Sequence, residues 1–159
     1  IQEAVQADVL NVLPRMRAGE LVVQAGLANS NKRWAQVDFL NFESTVAKDI
    51  HILGDSTQHA AFMPKSGHMA NQHAKVAAAA IVAELSGFEV NPQPVLTNTC
   101  YSFVSATTVV HVASVHQYNV ADKTYKTVAG SGGVSVAPSE LEGVYAWGWA
   151  RNIWADSLL

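Results

Sequence analysis

The sequence predicts an α+β chain in two parts: the closing piece of an α/β region over 1–89, then a smaller α+β unit over 90–159. Two observations carry this. In the first part, short apolar stretches precede one long alanine-rich helix, from Met69 to Leu85. Beyond a linker at Asn91–Pro94 the texture changes to runs of Val, Thr, Ser and Ala, as in strands. The first part has strands and a helix but no βαβ series to close a sheet, so it reads as the end of a larger fold.

Each element has its own signal. Ala7 to Leu13 (ADVLNVL) reads as a short buried strand ended by Pro14, and Leu21 to Leu27 as a helical turn or two. Residues 28–33 are polar and loop-like. Val37 to Phe42 alternates as a strand does, and Asp49 to Leu53 is a compact strand stopped by Gly54-Asp55-Ser56. Pro64 and Gly67 punctuate the connection to the long helix, for which Ser66 is the N-cap and Gly87 the stop. In the second part Tyr101 to Gln117 is strand-like, Asn119 to Lys123 a turn, and Thr124 to Val128 a returning strand. Gly130 to Gly133 is a flexible turn, and Val144 to Leu159 a helix carrying Trp147, Trp149 and Trp154.

Composition excludes several classes. The 159 residues are 49% hydrophobic and 14% charged, which is a packed globular balance. The net charge is −3 and the Lys and Arg residues are scattered, so nucleic acid finds no basic stripe. No apolar run approaches the roughly 18 residues of a membrane span; the longest, Val76 to Leu85, is mostly alanine. Ile1 to Ala7 mixes Gln, Glu and Asp with apolar residues, unlike an export leader. There is one cysteine, Cys100, so no disulfide framework forms within the chain. That thiol is inert and buried, or reactive, or half of a bridge to a residue elsewhere.

Two motifs carry chemistry. Ile50 to Leu53 followed by Gly54-Asp55 puts a carboxylate at the carboxyl edge of a strand, where ligands sit in open α/β sheets, though the same dipeptide also makes plain turns. Met63-Pro64-Lys65-Ser66-Gly67 stands directly before the alanine-rich helix, whose free N–H groups and positive end form an anion site that Lys65 would reinforce. The same segment also reads as an ordinary loop and cap. The six histidines show no ligand spacing: His68 and His73 are five apart, and His111 and His116 face opposite sides of a strand.

Taken together, the run IHILGDSTQHAAFMPKSGHMANQHAKVAAAAIVAEL resembles the FAD-binding tail of the two-dinucleotide-domain flavoprotein disulfide reductases. With ADVLNVLPRMRAGELVVQAGL upstream and Asn98-Thr99-Cys100-Tyr101-Ser102 and the Trp-rich ending downstream, it is most similar to the flavoprotein subunit of flavocytochrome c sulfide dehydrogenase. The resemblance implies that Gly54 and Asp55 hold the ribityl chain of FAD, and that Met63, Pro64, Lys65, Ser66 and Gly67 lie by the flavin ring. It implies that Cys100 is one of a redox-active pair, and that Trp149 is an aromatic near the active site. It further implies sulfide as substrate, a periplasmic location, and a c-type cytochrome subunit that alone carries haem c. The Gly-rich phosphate loop, the flavin-attachment cysteine and the first redox cysteine of that family are absent from this sequence, which implies a missing N-terminal flavoprotein portion. Two alternatives stand beside this: a sulfide:quinone oxidoreductase, and a non-catalytic interaction domain that keeps the fold.

Overall fold

The computed structural model describes residues 4–158. Ile1–Glu3, part of the stretch read as unlike an export leader, and Leu159, the expected end of the last helix, lie outside them. In chain order the elements are α1 (Glu20–Gln24), a 3₁₀ turn (Gly54–Ser56), α2 (Gly67–Ser86), β1 (Val95–Phe103), β2 (Val109–Asn119), β3 (Thr124–Thr127), β4 (Gly133–Val134) and α3 (Glu140–Leu158).

Helix α2 forms where its capping residues dictate. The Ser66 hydroxyl accepts the Met69 N–H at 3.0 Å, which satisfies one of the unpaired amides of the first turn. Left-handed Gly87 (φ 72°) ends the helix, in a conformation that costs a glycine little. Met69, His73, Ala77 and Ala80 are its buried positions, and their three- and four-residue spacing puts them on one face. That face packs on β1 and on the 3₁₀ turn.

The sheet is antiparallel with β2 at its centre: β1 pairs one edge, and β3 and β4 pair the other. The strand-like stretch expected from Tyr101 to Gln117 is in fact two strands, and the first begins at Val95. The break falls at Ser105, whose hydroxyl accepts the N–H groups of Thr107 and Thr108 and closes a turn. The register sets Leu96 opposite His116, Asn98 opposite Ser114 and Cys100 opposite Val112. Successive residues of a strand point to opposite faces. One face therefore carries Leu96, Asn98, Cys100, Val112, Ser114 and His116; the other carries Tyr101 and His111. Leu96, Tyr118 and Tyr125 pack with Ala35, Val37, Phe42, Ile52, Ala60, Met63, Met69 and Ala77 in one hydrophobic core. Helix α3 packs on β2 and begins four residues before the expected Val144.

Three expected strands do not form. Residues 7–13 are exposed and lack regular structure (Val9 is 87% exposed), because no segment among the described residues offers them a ladder. Val37 to Phe42 and Asp49 to Leu53 make only isolated bridges, Val37 to Ser44 and His51 to Glu43. Between them the backbone turns through positive φ at Phe42 (62°) and Asp49 (63°), which prevents a continuous ladder. The turn inserts Phe42 into the core, stacked on His73 with ring centroids 4.3 Å apart.

Candidate functional site

Gly54 is required by packing. Its φ is 62°, and a Cβ there would stand 2.9 Å from the Cβ of Ala70 in the first turn of α2. Its N–H donates to His73 Nδ1 at 3.1 Å. The close approach that glycine permits is thus to a helix. Asp55 follows in a 3₁₀ turn and is exposed; it does not sit at the end of a sheet strand. The turn nevertheless lies against the start of α2, so the carboxylate and the helix N-terminus share one region.

Lys65 joins the two. Its ammonium donates to the carbonyls of Asp55 and Thr57, each at 2.7 Å, and lies 4.0 Å from the centroid of the Trp34 ring. Burial lowers its pKa, and the Asp55 carboxylate partly offsets this. The cation is therefore committed to stapling the turn rather than extended toward a ligand. Beside it, burial and then the Lys65 charge lower the pKa of His59, whose Nδ1 is buried without a partner.

The loop that follows divides inward and outward. Met63 is in the core at 2% exposure, so packing occupies its side chain. Phe62, by contrast, is 91% exposed and left-handed (φ 62°), a conformation that is unusual for a bulky side chain. Phe62 and Pro64 form one wall of an open groove of about 480 Å³; Asn98, Cys100, Val112, Ser114 and Thr127 complete it. Gly67 opens α2 and is exposed. Ser66 reaches across to the sheet, where its hydroxyl meets Asn98 Oδ1 at 2.5 Å. Asn98 in turn places Nδ2 3.6 Å from the sulfur of half-buried Cys100. Beneath the groove, fully buried His116 bonds Ser114 at 2.9 Å and Thr127 at 3.4 Å, and burial lowers its pKa.

Trp149 is elsewhere. Its ring packs on Tyr101 (5.7 Å) and His68 (5.5 Å), on the sheet face opposite to Cys100. The structure brings Pro64 and Cys100 to one groove, links Ser66 to Cys100 through Asn98, and leaves Trp149 apart, with its indole N–H buried and unpartnered. The sequence assigns no role to Phe62, Asn98 or Ser114. For Asn98 a signal exists: two residues before Cys100 on a strand, it shares the same face.

The groove is mainly apolar, with a few polar groups (Asn98, Ser114, Thr127) and one thiol. That donor set fits a flat, amphipathic ring. Among the described residues, no three His, Cys, Asp or Glu side chains come together as metal ligands, and no helix is long and apolar enough to cross a membrane. Residues 92–158 match the family model described as flavocytochrome c sulphide dehydrogenase, flavin-binding. The matched segment holds Asn98, Cys100, Val112, Ser114 and Thr127, most of the groove lining. Over these residues the chain is similar to the flavin-binding domain of flavocytochrome c sulphide dehydrogenase, and the cofactor this match supports is a flavin, FAD.

Proposed function

We propose that this chain is the flavin-facing, sulfur-handling end of an FAD-dependent sulfide dehydrogenase. The single observation that supports it best is that Pro64 of the loop before α2 and Cys100 of β1 line one groove. In this reading residues 1–89 are the closing piece of a two-dinucleotide-domain FAD fold. Residues 90–159 are the small flavin-site domain.

Each residue has a role in this reading. The exposed Asp55 carboxylate accepts hydrogen bonds from ribityl hydroxyls, and Gly54 holds the turn against α2. The leading amides of α2 at Ser66 and Gly67 favour negative charge on the pyrimidine edge of the ring. Pro64 and Phe62 supply the apolar wall, while Met63 and Lys65 hold the loop from within. Cys100 forms a disulfide with a cysteine outside this chain. Hydrosulfide attacks one sulfur of that bond; the S–S bond breaks, a persulfide forms on the attacked sulfur, and the other leaves as thiolate. A second hydrosulfide attacks the outer persulfide sulfur and leaves with it as hydrogen disulfide, which frees the second cysteine as a thiolate; when bound, the flavin would supply the two-electron acceptor that rejoins the two thiolates as a disulfide. A c-type cytochrome subunit, carrying the haem, receives the electrons, in the periplasm where disulfides persist. Trp149, on the far face, contributes packing of α3.

The test is Cys100→Ser in the assembly that carries this chain. Sulfide-dependent reduction of cytochrome c should be lost while the visible flavin absorbance is kept. Sulfide oxidation that persists in the variant overturns the proposal, and electrons delivered only to a quinone move it to the quinone-reducing class.

A further inference from the structure

We infer that Asn98 is a positioning residue for Cys100, orienting a donor at its sulfur through a relay that begins at the N-terminus of α2. This rests on the reading of Cys100 as a reactive thiol.

The relay is fixed atom by atom. The Met69 N–H donates to Ser66 Oγ at 3.0 Å, so the Ser66 hydroxyl proton is free to point elsewhere. It points to Asn98 Oδ1 at 2.5 Å. A separation of 2.5 Å fits O–H···O and is too short for N–H···O, so the amide oxygen faces Ser66 and the amide nitrogen faces the sulfur. Asn98 Nδ2 stands 3.6 Å from Cys100 Sγ, whereas the reverse contact, thiol to Oδ1, is longer at 3.8 Å and competes with the Ser66 hydroxyl. Asn98 is only 3% exposed, so water does not substitute for it. The positive end of a twenty-residue helix polarises the chain of donors toward the sulfur. An amide so placed stabilises the thiolate over either disulfide-bonded form.

The reaction that reads this is exchange with oxidised glutathione. The Cys100 thiolate attacks the glutathione disulfide, the mixed disulfide forms, and one glutathione thiolate leaves. The equilibrium constant, measured at alkaline pH by intact mass on the 159-residue chain, should rise about fivefold in Asn98→Ala, the equivalent of roughly 1 kcal/mol for one hydrogen bond. Asn98→Asp keeps an acceptor for Ser66 but removes the donor and adds charge, so it should rise at least as far. Ser66→Ala frees the amide and should move toward Asn98→Ala, while Ser66→Thr keeps the hydroxyl and should match the wild type. Thermal melts confirm that each variant is folded. Equal constants for wild type, Asn98→Asp and Ser66→Ala overturn the inference. Failure of wild-type Cys100 to exchange overturns the reactive-thiol reading and the inference with it.

Discussion

The ammonium of Lys65 sits 2.7 Å from the backbone carbonyl of Asp55 and caps the ring of Trp34 from 4.0 Å, so the loop before α2 and the Gly-Asp turn are one unit. Lys65→Met keeps the aliphatic stem and removes both charged hydrogen bonds. It should destabilise the chain by about 2 kcal/mol, a charge-assisted pair offset by the desolvation it no longer pays. Urea unfolding followed by tryptophan fluorescence checks this.

Gly54→Ala meets two obstacles at once. The backbone is left-handed, and the new Cβ would press on the Cβ of Ala70 at 2.9 Å. A loss of about 2 kcal/mol is expected. Gly67→Ala, with open space around its Cβ, should be near neutral and serves as the control in the same urea experiment.

His73 makes stability depend on pH. Burial pushes its pKa from 6.5 to about 4, with the Lys65 charge adding to the effect. The unfolded chain binds the proton more readily, so the stabilisation is whole above pH 6.5 and is lost as pH falls toward 4. The shift corresponds to roughly 3 kcal/mol. The melting temperature of the wild type should drop across this window. His73→Gln should drop less, with the remaining slope carried by His59, His68 and His116, whose pKa values are also lowered, each first by burial. Equal slopes for variant and wild type contradict this assignment.

The parts of the fold legible in the sequence are those set by local chemistry. Ser66 and Gly87 marked the ends of α2 because a cap hydroxyl and a left-handed glycine act on their own neighbours. The turn at Asn119 to Lys123 was legible for the same reason, and so was the one at Gly130 and Ser131, although Gly133, expected in that turn, already belongs to β4. The segment from Val37 to Leu53 was not, since alternation there reflects Phe42 and Ile52 reaching the core from a turning chain, which periodicity alone reads as strands. At the site, the approach of Pro64 to Cys100 depends on α2 crossing β1, a contact between residues far apart in the chain. The separation of Trp149 from Cys100 likewise follows from strand register, which the sequence does not state.

Phe62 offers a direct probe of the groove. Its side chain is almost fully exposed, so Phe62→Ala removes little core packing and should change stability by less than about 0.5 kcal/mol. In the flavin-bearing assembly it should shift the visible flavin absorption or weaken flavin retention, because an apolar wall is lost. An unchanged spectrum and unchanged flavin content contradict the placement of the ring against this loop.

The most direct measurement is non-reducing peptide mapping of the oxidised, sulfide-competent enzyme. The peptide containing Cys100 should be joined by a disulfide to a cysteine that this chain does not supply. A free, unmodified Cys100 in that active enzyme contradicts the account.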